Sequence, residues 1–411
     1  MQRRHFLTAA AAAGALTACS SGAGSGTDDS GAVTLWGSWS GDQVAQLKQL
    51  LQTYNDAHPG TTVTYKQQEV VEEKLLTAIA GGQVPDVVLW DRFTTNVYAP
   101  KGALEPIDDR LGDVDLNAFY PEAVEELRVD DQLYGLPLLV DCRALFYNKA
   151  FFAEAGLNPP TTWQELADTA SALTVRTGGK LERAGFSLDD PGLFSTWLGQ
   201  AGGTMLTEDG TATNFNSPEG LQVLTFWDEL LRERKVYDLG FGDGGDAFGA
   251  GQLAMKYDGP WSLTTYDAVE GLEYAVVPPV AGPDGGRAAG LGGFGLVIPK
   301  GARNPDAAWD FITWWTTQPA NGVEFGKVTG WIPANQEAAQ DPYFTGSEKY
   351  AGMVETLGFA KARPTVKGYS DVEGKALIPA LEKFLAGEVG AEEALDTAAR
   401  DGDRVLQEAA K

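Results

Sequence analysis

The chain has 411 residues, 43% of them hydrophobic and 21% charged, with 31 Lys plus Arg against 57 Asp plus Glu and a formal net charge of −26. That is enough apolar material for a large core and too long for one ordinary domain, so two lobes are expected, and the hydrophobic fraction excludes intrinsic disorder. The acidic balance would repel a polyphosphate backbone, which argues against nucleic acid as a partner, and with only two His, His5 and His58, no His cluster can hold zinc.

Residues 1–18 (MQRRHFLTAAAAAGALTA) read as a signal peptide: two arginines precede an apolar run, Phe6 to Ala18, too short to span a bilayer. Arg3-Arg4 followed by His5-Phe6-Leu7 resembles the twin-arginine export signal, and Leu16-Thr17-Ala18-Cys19 resembles a bacterial lipobox, which makes Cys19 the expected lipidation site. Residues 19–32 then form a lipidated flexible tether with a root-mean-square reach of roughly 20 Å. The expected location is the extracellular face of the cytoplasmic membrane, touched only through the anchor. Removing Arg3 and Arg4 takes the charge from −26 to −28, which suits a neutral or cationic small molecule better than an anion. With Cys19 acylated, Cys142 is left without a disulfide partner.

From Val33 short apolar strands alternate with amphipathic helices, the pattern of α/β architecture. Val33 to Trp36 is strand-like. Ser40 and Gln43 form a capping box ahead of Val44, Leu47, Leu51 and Tyr54 at helical spacing. Val63 to Tyr65 is the next strand, Lys74 to Ala80 a helix ended by Gly81-Gly82, and Asp86 to Trp90 a buried strand. Tyr134 to Tyr147 is extended and long enough to pass from one lobe to the other. Thr162 and Glu165 make another capping box before Leu166, Ala170 and Leu173. Tyr274 to Pro279 and Phe294 to Pro299 are strands, and Asn304-Pro305 starts a helix carrying Trp309, Ile312 and Trp315. There is no internal repeat and no transmembrane stretch after the signal.

Gly290 to Gly295 (GLGGFG) matches the letters of a dinucleotide fingerprint, but a Gly-Pro loop precedes it and a strand follows, the wrong context for a pyrophosphate, so no cofactor is expected. Glycines there let backbone N–H groups approach a ligand, with Phe294 beside them. Trp90-Asp91-Arg92 ends a buried strand, where ligand sites of open α/β sheets lie. A flat ring for a sugar face beside an acid and a base for hydroxyls is one reading of it, and a salt bridge beside a core Trp is the other. Asp141, between apolar Val140 and Cys142, needs Arg143, a backbone donor or a ligand hydroxyl. Gly259-Pro260-Trp261 is a rigid turn that presents Trp261 either as a ligand platform or as a core plug. Paired acids such as Asp108-Asp109 and Glu125-Glu126 read as solvated surface.

In order and spacing these segments resemble the sugar-binding components of ATP-driven importers, the extracellular solute-binding proteins of the maltose-binding kind. The resemblance runs from Val33 to Lys411 through Pro85 to Phe93, Tyr134 to Pro137, Phe146 to Lys149, Thr162 to Leu166, Ala254-Met255, Gly259 to Trp261, Gly292-Gly293 and Gly330 to Pro333. It implies two α/β lobes joined by hinge strands, of the type II periplasmic-binding fold, with lobe 1 at 33–140 and 279–331 and lobe 2 at 141–278 and 332–411. It implies that Trp90, Asp91 and Arg92 bind ligand from the first lobe, Asp141 from the hinge, Trp261 and Arg363 from the second lobe, and Gly293 and Phe294 from a glycine-glycine-aromatic turn. Trp39, Glu69 and Trp331 transfer as further positions, and Asp190-Pro191 resembles an acid-proline pair at the sugar. The implied function is capture of a neutral oligosaccharide, a disaccharide by preference, by a monomeric receptor that hands it to importer membrane subunits without reaction. The alternative is a secreted glycoside hydrolase acting on the same sugars.

Overall fold

The computed structural model describes residues 31–411; the signal peptide, Cys19 and nearly all of the tether lie outside the described residues. The chain opens with strand β1 (Ala32–Gly37), helix α1 (Asp42–Ala57), β2 (Thr62–Gln67), α2 (Val71–Gly81) and β3 (Val87–Asp91). β1 runs parallel to both β2 and β3, so the two strand-helix-strand units of the sequence form as expected. One local expectation fails. Helix α1 begins at Asp42 behind Gly41 with no side-chain cap, so the Ser40/Gln43 box does not form. The second box is real: Thr162 Oγ1 accepts from Glu165 N at 3.2 Å, while Glu165 Oε2 reaches back to Thr161 N at 2.7 Å.

The extended run after Tyr134 is three strands in succession, β4 (Gly135–Pro137), β5 (Leu139–Cys142) and β6 (Ala144–Asn148), each in a different sheet. β4 closes the edge of the first sheet, whose order is β2-β1-β3-β10-β4, β10 being Phe294–Val297 and antiparallel to both neighbours. β6 is the centre of an antiparallel sheet between β7 (Met255–Asp258) and β8 (Tyr274–Val277). Between them β5 pairs with β9 (Gly290–Gly292) and β11 (Ile332–Pro333), and β9 pairs with β12 (Lys361–Ala362). This four-stranded crossing sheet carries the chain between the five-stranded first sheet and the three-stranded second one.

Buried apolar side chains cover both the first and the second sheet and belong to one continuous core. Leu35, Val87, Val88, Leu89, Trp90, Leu296 and Val297 are buried in the first; Phe146, Phe186, Trp197, Trp227 and Tyr257 fill the second, with Trp197 and Tyr257 rings 5.2 Å apart. Asp86 ties β1 to the helix Pro305–Thr316, because its carboxylate accepts from Thr34 N and Asn304 N, each at 2.9 Å. Among the described residues no helix is long and apolar enough to cross a membrane.

The turn between β9 and β10 allows only glycine at one position. Gly293 has φ 128°, and a Cβ there would lie 2.5 Å from Leu139 O and 2.8 Å from Arg92 Nη1. Gly293→Ala is therefore expected to cost about 1–3 kcal/mol or more in urea unfolding. Gly81→Ala, where a Cβ meets nothing within 4 Å, should be neutral or slightly stabilising. Equal effects of the two substitutions would contradict this packing.

Candidate functional site

Where the crossing sheet meets the second sheet there is a cleft of about 270 Å³. Its wall includes Asp141, Arg143, Asp190, Thr196, Trp261, Gly292, Arg363 and Glu373. Leu139, Val140 and Cys142 are fully buried, so Asp141 is the one residue of β5 that reaches the cleft, directly across from Gly292 of β9. Its carboxylate has no hydrogen bond or ion pair to any described residue. Burial pushes its pKa up against the pull of Arg92 and Arg143. An acceptor held partly out of water without a donor is a group prepared for a ligand hydroxyl or ammonium.

Trp261 sits in a one-turn helix, Pro260–Ser262, just after β7, and its ring folds back over the preceding glycine. A Cβ at Gly259 would stand 2.1 Å from the indole, which explains the Gly-Pro-Trp order. The ring is half-buried. The Arg143 guanidinium lies 4.5 Å from its centroid, and Trp331 packs 5.8 Å away at 48°. Arg143 in turn pairs with Asp190 Oδ2 at 3.3 Å, while Asp190 Oδ1 caps the turn at Gly192 N. Arg143 thus pairs with Asp190 and covers Trp261, so of the three partners open to Asp141 it supplies an electrostatic pull but no hydrogen bond. Arg363 stacks 3.7 Å from the Phe93 centroid and pairs with Glu373 at 3.7 Å. Burial pushes the Glu373 carboxyl up, and Arg363 opposes that shift.

Of the positions expected from the sequence, Asp141, Asp190, Trp261 and Arg363 meet in this cleft. Trp90 does not. It is fully buried under the first sheet with Nε1 donating to Thr95 Oγ1 at 3.2 Å, so it is a core residue and offers no face to a ligand. Arg92 is likewise fully buried, and its guanidinium is consumed by Glu126 and by the carbonyls of Leu139, Gly292 and Phe294. Asp91 uses Oδ1 to cap the turn at Phe93 N, 3.2 Å, and stands outside the cleft wall. Gly293 is buried against Leu139 and Arg92, so its missing Cβ makes room for protein and not for ligand. Glu69 is exposed beyond β2 and away from the cleft wall.

Trp39 and Trp331 are buried and stacked at 6.1 Å and 8°, with Phe325 stacked on the far side of Trp39 at 5.9 Å. Phe294 stands edge-on to both tryptophans at 6.2 Å. These rings form an aromatic column behind Trp261 and fix its orientation; Trp261 is the member that lines the cleft.

The sequence reading missed Thr196 and Glu373. Thr196 Oγ1 accepts from Gly290 N at 3.1 Å and holds the start of β9. Glu373 lies in a π-helical turn, Val372–Leu377, a distortion that often marks functional positions and that composition alone does not signal. Glu126, buried opposite Arg92, was read as solvated surface because it follows Glu125; burial raises its pKa to about 7 against the pull of Arg92.

The profile of the bacterial extracellular solute-binding proteins matches residues 49–353. The chain belongs to that family. It is 27% identical over 341 residues to the maltotriose-binding protein of Pyrococcus abyssi (strain GE5 / Orsay), covering 82% of this chain and 73% of that protein. Among solved structures it is similar to the cyclic alpha-maltosyl-1,6-maltose binding protein from Arthrobacter globiformis, with a TM-score of 0.80, 28% identity and coverage of 92% and 99%. It is similar too to the GacH receptor of Streptomyces glaucescens GLA.O, solved unliganded and with acarbose, with a TM-score of 0.79, 25% identity and coverage of 92% and 98%. The two-lobed α/β fold of this solute-binding family is the fold of the chain, and the family and these relatives are binding proteins.

Two expectations separate the assignments. Trp90→Ala should cost roughly 3–5 kcal/mol of stability without ligand. Trp261→Ala should leave the unliganded melting temperature nearly unchanged; a large fall for Trp261 and none for Trp90 in calorimetric scans would reverse the assignment. The second concerns pH. Because the folded pKa of Glu126 stands above its unfolded value, the folded chain holds the extra proton between about 4.5 and about 7, and stability falls as pH rises through that window. Glu126→Gln removes this component, so wild-type stability relative to the variant should drop by up to about 3 kcal/mol from pH 4.5 to pH 8, a difference that urea titrations at the two pH values measure.

Proposed function

We propose that this solute-binding protein is a sugar receptor: it captures a short neutral oligosaccharide, a disaccharide by preference, in the Asp141–Trp261 cleft and delivers it to the membrane subunits of an ATP-driven importer. The observation that carries the reading is the pairing of a half-buried indole face with a carboxylate that has no protein donor, since a pyranose offers a face of C–H groups to the first and hydroxyls to the second. The cleft volume lies at the small end of ligand sites, which suits a short sugar over a long chain. Relatives named for maltotriose and cyclic maltosyl-maltose binding, with a receptor solved in complex with acarbose, make α-linked glucose oligomers the first ligands to try.

Export by the twin-arginine-like signal, acylation at Cys19 and a monomeric state belong to the same proposal. So does the division into lobe 1 (33–140, 279–331) and lobe 2 (141–278, 332–411), which closes over the sugar. A glycoside hydrolase would need a carboxyl acid and a second free carboxylate. Among the described cleft residues Asp190 and Glu373 are each paired with an arginine, which leaves Asp141 alone and favours a receptor over an enzyme.

Calorimetric titration with maltose, maltotriose and cyclic maltosyl-maltose tests the reading. At least one should bind and be recovered intact, and Asp141→Asn should weaken it by about 1.5–3 kcal/mol, the worth of a hydrogen bond to a charged group. Hydrolysis products, or no binding by any neutral sugar, would overturn it.

A further inference from the structure

Arg92 was expected to grip ligand, and its surroundings give it other work. Nε and Nη2 face Glu126 Oε2 at 3.1 and 3.0 Å, Nη1 donates to Leu139 O at 2.5 Å and Phe294 O at 3.1 Å, and Nη2 donates to Gly292 O at 2.6 Å. Its own N–H donates to Gly293 O at 3.3 Å. The three side-chain carbonyl partners belong to β5, β9 and β10, and the guanidinium itself follows β3. One planar cation therefore joins the end of the first sheet to both crossing strands. It does so beside the one pair, Asp141 opposite Gly292, that both strands present to the cleft. The contrast two residues on is sharp. Arg143 lies between β5 and β6, belongs to neither, and directs its own guanidinium to Asp190 and Trp261 on the far side of the cleft.

We propose that Arg92 is a positioning residue for ligand capture: it pins β5 and β9 to the first sheet, so that Asp141 moves with the first lobe and the bend falls at Arg143, which moves the lobe boundary from 140/141 to just beyond Cys142. The ligand-affinity part of this inference rests on the sugar-receptor reading; the pinning does not. A lysine keeps the charge and the Glu126 pairing yet lacks the planar fork that reaches three carbonyls in three directions, so charge alone cannot replace the clamp.

The test uses the full chain as wild type, Arg92→Lys and Arg92→Met. Amide hydrogen exchange without ligand reads the clamp: both variants should exchange at least tenfold faster in 139–142 and 290–294, with β2 unchanged. Titration with maltotriose, followed by tryptophan fluorescence, reads its consequence: Kd per folded molecule should weaken at least tenfold in Arg92→Lys and further in Arg92→Met. Unchanged exchange in those two segments overturns the proposal. So does acceleration spread over the whole first sheet with Kd unchanged, which is the signature of a merely structural residue. If wild type itself does not bind maltotriose, the choice of ligand fails and the exchange arm still decides the clamp. If both Arg92 variants fail to fold, Glu126→Gln, which loosens the guanidinium without removing it, should accelerate exchange in the same two segments, and no acceleration there overturns the proposal.

Discussion

The site depends on a buried cation at the point where the chain leaves one lobe for the other. A guanidinium taken fully out of water is costly unless each of its donors is met, and here a carboxylate and three carbonyls meet them. That requirement explains features that otherwise look unrelated. Gly293 must lack a side chain because Arg92 Nη1 and Leu139 O occupy the space, and Glu126 must be buried because the cation is. Strand β9 is held at a fixed register against β5, which sets Asp141 opposite Gly292 on the cleft wall.

The cleft follows from this frame together with the aromatic column. Phe325, Trp39 and Trp331 stack in sequence and end at Trp261, so the one indole among the described cleft residues is buttressed by packed rings. The two cleft arginines are each held by an acid, Arg143 by Asp190 and Arg363 by Glu373, and each also covers an aromatic face. What remains uncommitted is Asp141. On the proposed reading, binding energy enters through stacking and through one carboxylate, and a ligand that engages both lobes favours closure by the difference in its affinity for the closed and open forms.

Much of the fold was legible in the sequence because period and punctuation coincide there. The parallel opening from β1 to β3 shows helical spacing between short apolar runs, and the extended run after Tyr134 shows no helical spacing at all. The site was legible only in part, and the failures share a cause. Val87 to Trp90 is buried on both faces, so it carries no alternation from which the direction of Trp90 follows, and the ring lies in the core. Arg92 finds its carbonyls 47 and 200 residues away along the chain, beyond any local pattern. Glu126 next to Glu125 has the look of surface charge until the cation opposite it is known. Asp141 and Trp261, which line the cleft, stand out in the sequence because each sits in a local context, an acid between apolar neighbours and an aromatic after Gly-Pro, that is hard to satisfy without a partner.

The central claim is that a sugar closes the two lobes about the crossing strands. Small-angle X-ray scattering of the chain, with and without maltotriose at a concentration shown by calorimetry to saturate it, tests this most directly. The account predicts a smaller radius of gyration in the saturated complex, with the change lost in Trp261→Ala at the same sugar concentration. A saturated complex with an unchanged radius of gyration would contradict it.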